Sequence, residues 1–491
     1  MSRSESTEDA SPAKDASPGS RTARLVRRLG ALCPDLTPLR TSRDFRLLWI
    51  AGTIFYLGGM VTYVALPYQI YQLTGSNFAI GLLGLVQLVP LIVCGLYGGV
   101  LADRVDRKRV LVVTGAAQCV LIGLLLVNAA LPDPQIWPIY ALGALLTVTQ
   151  SLQRPSREAL TPRVVRHEEV PAAVVLSSIG LQVGMLAGPA LGGVLTAKVG
   201  VAWAYAIDVA GLLLSTALFA ALRPYPPLTD SGQAGLGSAI REIAEGMRYA
   251  VRRKDLLGTY VVDMTAMVLA MPVVLFPALA SDVFHQPAAL GLLYSASTVG
   301  SLVATATSGW TSRVHHHGRA VVLAAAAWGA AVALAGLAPS VWLAVAAFVM
   351  AGAADMISGL FRSVIWNQTI PDDRRGRLAG IEMLSYSIGP LAGEARAGLV
   401  ADMTSVRASI VSGGALCVVG VGLVARWLRE FWRYDARTDE HAVRERERRA
   451  ALAAQTATSD VHGGGSDAPP DAREASPHDG AAASLTSSGR H

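Results

Sequence analysis

Charge is scarce in this chain. Only 16% of its 491 residues are Asp, Glu, Lys or Arg, against about 25% in an average soluble domain. The four cysteines, Cys33, Cys94, Cys119 and Cys417, have no paired spacing, and three fall inside apolar runs. A disulfide framework or a cysteine zinc site is therefore not expected. No G-x-x-x-x-G-K-[ST] loop is present to cradle a nucleotide phosphate, which excludes ATP as a direct drive. His315-His316-His317 has no Cys or carboxylate at ligand spacing beside it and reads as a solvated loop, not a metal site. No cofactor, metal or enzymatic activity is expected. The first 40 residues are polar and predict no cleavable leader.

What the chain has instead is long apolar sequence. Apolar residues make up 52% of it, and its mean hydropathy is +0.41. Twelve runs are long enough to cross a hydrocarbon core about 30 Å thick: 46–73, 77–102, 108–131, 137–156, 172–198, 200–222, 256–279, 288–311, 319–337, 341–363, 378–401 and 405–428. Helix is the only reading, because a lone strand in lipid leaves its backbone unsatisfied. The expected fold is an all-α polytopic membrane protein with twelve transmembrane helices in two pseudo-symmetric six-helix bundles.

The loops after the even-numbered spans are basic. Arg104, Arg107, Lys108 and Arg109 follow the second span, and Arg374, Arg375 and Arg377 follow the tenth. The alternate loops, such as Thr74-Gly75-Ser76 and Pro339-Ser340, are nearly bare of charge. The positive-inside rule puts the basic loops and both termini in the cytoplasm, with the chain in the plasma or inner membrane. The net charge of +6 thus faces lipid and does not signal nucleic acid.

Composition divides the chain further. Residues 1–44 and 431–491 read as disordered cytoplasmic tails. Residues 45–222 and 256–430 form the two bundles. The linker 223–255 carries an amphipathic helix from Ile240 to Val251; it reads either as lying on the inner membrane surface or as a solvated linker helix. The halves also read as repeats. Gly81-Leu82-Leu83 recurs as Gly291-Leu292-Leu293, and Gly188-Pro189 in span 5 as Gly389-Pro390 in span 11. Carrying that register forward sets Gly99 against Gly309 and Asp103 against Arg313.

The hairpin after span 2 reads Gly99-x-x-x-Asp103-Arg104-x-x-Arg107-Lys108. This resembles the helix 2–3 loop of the major facilitator superfamily of secondary transporters. The resemblance implies that Asp103 bonds to the start of helix 11 and to nearby basic residues, latching the cytoplasmic side when the cavity faces outward. A carboxylate is favoured at a helix N-terminus. Arg154 or Arg157, at the inner end of span 4, is the expected partner. The usual eighth-place Gly is Asp106 here, an acid with no evident partner. Span 5 contains Gly184, Gly188, Pro189, Gly192 and Gly193, which resembles the helix-5 motif of exporters in this superfamily. Small residues four apart permit close helix approach, and a proline bends the helix.

Acids inside apolar spans are costly and mark pathways or pairs. Asp263 lies in span 7, Asp355 in span 10, and Glu382 and Glu394 in span 11. These are the proton or substrate candidates, with Asp263 and Asp355 first. Arg362 and Arg396 are placed to tie up Asp355 and Glu394 instead. Asp208, in span 6, is expected at the periphery. Span 7 adds Met267 and Met271 before Pro272 and Pro277, an adaptable wall. That stretch, and Ala65 to Gly75, resemble the enterobactin (siderophore) exporter-like branch, beside the drug–proton antiporters. No Arg stands in the middle of span 4, where many drug antiporters have one. The resemblance implies alternating-access, proton-coupled export of a small amphipathic compound such as a siderophore. Multidrug efflux or import by the same fold are the alternatives. The expected partners are a small-molecule substrate, protons and the lipid bilayer, with the chain a monomer.

Overall fold

Apolar runs of this length become helices because a helix closes its own backbone hydrogen bonds without water. A computed structural model describes residues 34–226 and 236–463, without the side chains of 95–104 or of most positions in 236–243, 372–386 and 456–463. Twelve long helices order the chain. They are α1 (Arg43–Thr74), α2 (Asn77–Arg104), α3 (Arg107–Ala130), α4 (Ile136–Leu160), α5 (Val170–Lys198) and α6 (Val201–Ala220). After the linker helix (Leu236–Arg252) come α7 (Lys254–Ala270), α8 (Leu290–Ala306), α9 (His317–Leu337), α10 (Val341–Thr369), α11 (Asp372–Met403) and α12 (Val406–Trp427).

Among the described residues, ten helices are long and apolar enough to cross a membrane. Of the twelve, α4 falls outside that set; its polarity comes from Gln150, Gln153, Arg154, Arg157 and Glu158. Helix α11 carries Glu382, Glu394 and Arg396. Exposed tryptophans stand at helix ends: Trp137, Trp203 and Trp342 at one level, Trp310 and Trp427 at the other. Such rings favour the two membrane–water interfaces.

The halves repeat one packing scheme. In the first, α1 packs on α5 and α6, α3 on α4 and α6, and α2 on α4. In the second, α7 packs on α11 and α12, α9 on α10 and α12, and α8 on α10. Adding six to each helix number of the first set produces the second. The repeat read from short glycine motifs is thus carried by the whole fold. Helix α7 ends at Met271-Pro272, beyond which the chain continues through a 3-10 turn, one short helical turn and a π turn to Val283. Pro272 and Pro277 lack the N–H groups a continuous helix requires.

The linker helix buries Gly246 and Ala250, while Met247 and Val251, two residues of the apolar stripe, stay exposed. One sequence expectation meets a difference outside the bundles. Residues 440–463 form a helix, Glu440–Gly463, where a disordered tail was expected. Asp439 caps it, accepting from the N–H groups of His441 (3.1 Å) and Ala442 (3.0 Å). Arg449 bonds Glu445 at 3.0 Å and the Asn367 carbonyl of α10 at 3.0 Å. Pairs of Glu and Arg four apart support a helix that composition alone assigns to disorder. Residues 1–33 and 464–491 lie outside the described residues.

The halves meet chiefly through α2 on α11 and α5 on α8. At both crossings glycine brings backbones together. A Cβ at Gly81 would stand 2.8 Å from the Ala395 Cα, and one at Gly291 would stand 2.7 Å from the Pro189 carbonyl oxygen. A Cβ at Gly193 would fall within the backbone of Gly291. These contacts lie near the ends with charge-poor loops, here the bare end. There Asp402, in the last turn of α11, caps the N-terminus of α2. It accepts from Ser76 Oγ (2.5 Å), Asn77 N (2.9 Å), Asn77 Nδ2 (3.0 Å) and Phe78 N (3.0 Å). Tyr71 donates to Asp282 across the same end. The bare end is closed.

Hydrogen bonds to a charged group contribute about 1.5–3 kcal/mol each, and overpacking a tight contact costs about 1–3 kcal/mol. Asp402→Ala and Gly291→Leu are each expected to shift the closed-to-open ratio of the bare end roughly tenfold or more. Labelling of a Tyr63→Cys probe by a membrane-impermeant thiol reagent added from that side reads the shift. Equal labelling with and without either substitution would show that these contacts do not hold the end shut.

Candidate functional site

Below the closed end, the halves part around a cavity of about 570 Å³. Helices α1, α2, α4 and α5 form most of its wall. The second half contributes Val273 and Val274 from the broken end of α7, Tyr294 from α8 and Glu394 from α11. Tyr63 and Tyr294 meet edge to face at 5.6 Å, and Phe276 backs Tyr294 at 5.0 Å. This aromatic layer forms the roof. The mouth opens toward the basic loops, where the half-exposed pair Arg154 and Glu158 bonds at 2.9 Å. An adjoining chamber of about 250 Å³ extends under α8 and α10 and is lined by Met60, Met185, Met267 and Met271, with Asp355 at its edge. A third cavity, about 330 Å³, lies between α1, α4 and α5 and shares Tyr56, Arg157 and Glu158 with the first.

The five helix-5 motif residues divide between two tasks. Gly184, Gly188 and Gly192 let α5 lie against α1 at Tyr56, Met60 and Val61, while Gly193 meets α8. Pro189 sits between them inside the unbroken helix α5, and its carbonyl faces Gly291. The second half repeats the first task. Gly389 and Gly393 of α11 lie against Met267 and Met271 of α7.

The intramembrane acids divide more sharply. Asp263 is buried and paired with Arg362, which is itself largely enclosed. The expected Arg362–Asp355 pair is therefore corrected: Arg362 reaches across from α10 to α7. Asp355 makes no ion pair among the described residues; it shares a small void with Asp263, Met267 and Ser358. Arg396 does not pair with Glu394; its guanidinium lies against Gly413 of α12. Glu394 faces the main cavity, lies beside Gly84, and makes no ion pair among the described residues.

Of the charged hairpin, the side chains of Gly99, Asp103 and Arg104 lie outside the described residues. Arg107 donates to the Ala159 carbonyl at the end of α4, at 3.0 Å. Asp106, unpartnered in the sequence reading, is the N-cap of α3. It accepts from the N–H of Lys108 at 2.8 Å and of Arg109 at 3.4 Å. Arg157 is buried in the cavity wall: its guanidinium stacks on the Tyr56 ring, 4.1 Å from the centroid, and donates to the Tyr56 hydroxyl.

Three polar positions escaped the sequence reading. Gln153 and Asp402 look like ordinary polar residues near helix ends, and only the neighbours that folding supplies distinguish them. Asp208 was visible but was placed at the periphery. It is buried, accepts from Thr62 of α1, and presents its other carboxylate oxygen to Gly58, with no partner for that oxygen.

Solved transporter structures share this fold. The nucleoside transporter NupG aligns with a TM-score of 0.60 at 15% identity, over 80% of this chain and all of that one (100%). A POT family transporter in complex with 5-aminolevulinic acid aligns with a TM-score of 0.61 at 11% identity, over 79% of this chain and 97% of that one. In sequence, the chain is 31% identical over 393 residues to the enterobactin exporter EntS of Citrobacter koseri, covering 79% of this chain and 93% of the relative. The EntS proteins of Shigella boydii and Escherichia coli are 30% identical over the same shares. Residues 33–456 match the family described as transmembrane secretion effector. With twelve helices in two repeated bundles around a central cavity, this chain belongs to that family, within the major facilitator superfamily of multi-pass membrane transporters of small molecules.

Proposed function

We propose that the chain exports a small amphipathic, siderophore-like compound by alternating access, driven by protons entering in exchange. The observation that carries this reading is the likeness to enterobactin exporters over 79% of the chain. The cavity supports it. With the basic loops and both termini in the cytoplasm, its mouth faces the compartment where a secreted compound is made. The chain acts as a monomer in the plasma or inner membrane, since both repeats needed for the cavity lie in one chain. The closing contact at the basic end is the charged hairpin: Gly99, Asp103, Arg104, Arg107 and Lys108, with Arg154 or Arg157 as the partner on α4. A second reading, efflux of hydrophobic drugs, draws on the chamber lined by four methionines, since Met-rich walls repack around varied ligands.

Proton coupling falls to the acids without a cation partner. Glu394 faces the main cavity and leads; Asp355, beside the Met-lined chamber, is second, and Glu382 is the third candidate. Asp263 is the structural member, held by Arg362.

Cells lacking this gene and starved of iron are expected to retain siderophore, and the wild-type gene, but not Asp103→Ala, restores release. Unchanged release in the deleted strain would leave the drug reading in its place. In reconstituted vesicles, Glu394→Gln is expected to lower substrate-driven proton movement at least about tenfold while substrate still binds; intact proton movement would pass the role to Asp355. Stranding one member of a buried ion pair costs about 3–5 kcal/mol. Asp263→Asn is thus expected to lower the melting temperature, and adding Arg362→Gln to recover most of the loss. If the double variant melts no higher than the single one, the pair is not the structural unit described.

A further inference from the structure

Helix α4 places two buried hydrogen-bond donors in the wall of the main cavity, and among the described residues nothing receives them. Arg157 is 9% exposed and Gln153 1% exposed. They stand four residues apart, on one helix face, and both line the cavity. Gln153 Oε1 accepts from Gln118 Nε2 at 3.3 Å, which commits the carbonyl side of its amide. Its Nε2 has no partner. Arg157 spends Nη2 on the Tyr56 hydroxyl, and its Nη1 has no partner. No carboxylate pairs with Arg157 among the described residues; the nearest acid along the helix, Glu158, bonds Arg154.

A buried guanidinium left without a counter-charge is expensive, and buried donors without acceptors each cost about 1–3 kcal/mol. Such a pair is retained where an acceptor comes and goes. The surroundings describe that acceptor. Arg157 is already stacked on Tyr56, with Phe55 at 5.2 Å from its guanidinium, so its approach is limited to the side facing the cavity. An oxyanion with two oxygens matches a guanidinium N–H and an amide N–H offered from one helix face. The aromatic roof and the methionine chamber beyond accept an apolar or aromatic body.

We propose that Arg157 and Gln153 form the anion-binding end of the transport site, which takes an aromatic or apolar compound carrying a carboxylate or phenolate. This rests on the export reading and names its substrate class. The anion docks on α4 near the mouth, and the body points toward Tyr63 and Tyr294. The site is available only while the basic end is open. If Arg157 also serves the charged hairpin when that end closes, the two uses exclude each other in time.

The test uses the purified full chain and two matched probes, 2-naphthoate and its methyl ester, followed by calorimetric titration and thermal stabilisation. The acid is expected to bind and stabilise the protein and the ester to bind at least about tenfold more weakly. Arg157→Gln should weaken acid binding by about ten- to a hundredfold, which is the loss of one or two charge-assisted hydrogen bonds, and leave ester binding unchanged. Arg157→Lys should recover part of the loss, and Gln153→Leu should show a smaller loss with the charge intact. Melting of each unliganded variant separates lost binding from lost folding. Equal affinity for acid and ester, absence of binding by the acid, or full acid binding in a folded Arg157→Gln protein would each overturn the proposal. Arg157-dependent binding together with normal siderophore release from the deleted strain would sink the siderophore reading and leave the anion site standing.

Discussion

The contact on which the structure turns is backbone against backbone. Gly81 lies on Ala395 and Gly291 on Pro189–Ala190, at equivalent places in the two repeats. Lipid tails are as apolar as the side chains they meet, so helices in a membrane gain little by hiding apolar surface from each other. Close packing and satisfied polar groups must hold the halves together instead. Glycine supplies the closeness, and Asp402 supplies hydrogen bonds where the α2 backbone begins. Both devices act at one end, so the halves diverge from there and the cavity opens at the other.

That geometry explains which helices are polar. A helix facing lipid all round cannot carry Gln, Arg and Glu at membrane depth without large cost. Helices α4 and α11 carry them because they border the cavity. The acids then differ by their neighbours. Asp263 has its counter-charge in Arg362 and behaves as part of the frame. Glu394 and Asp355 line space and make no ion pair among the described residues. Asp208 is a third kind, enclosed between α1 and α6 and held by a threonine.

Much of this was legible in the residues. Run length and loop charge are local quantities, so twelve spans and their alternation follow from counting. The glycine repeats were legible for the same reason, as a Gly four residues from another marks a close approach wherever it falls. The helix-5 glycines do lie against neighbouring helices. Pairing was less legible. Arg362 is seven residues from Asp355 on one helix, which suggests a local partner, yet it pairs with Asp263 on α7. The helix at 440–463 was missed because its composition is that of a solvated tail; its support comes from spaced Glu–Arg pairs and from docking on α10.

The sequence by itself determined what each segment must be: a helix of given length, with polarity confined to certain turns, and charge gathered on alternate loops. These follow from the cost of taking a bare backbone or an ion into hydrocarbon, which each segment meets alone. Only the tertiary structure decided which polar groups find partners and which are left facing open space. That choice depends on rotations of helices far apart in the chain. Asp402 became a cap because α2 begins beside it, Asp263 became a frame residue because α10 turns Arg362 toward it, and Arg157 and Gln153 became cavity donors because, among the described residues, no acceptor packs over them.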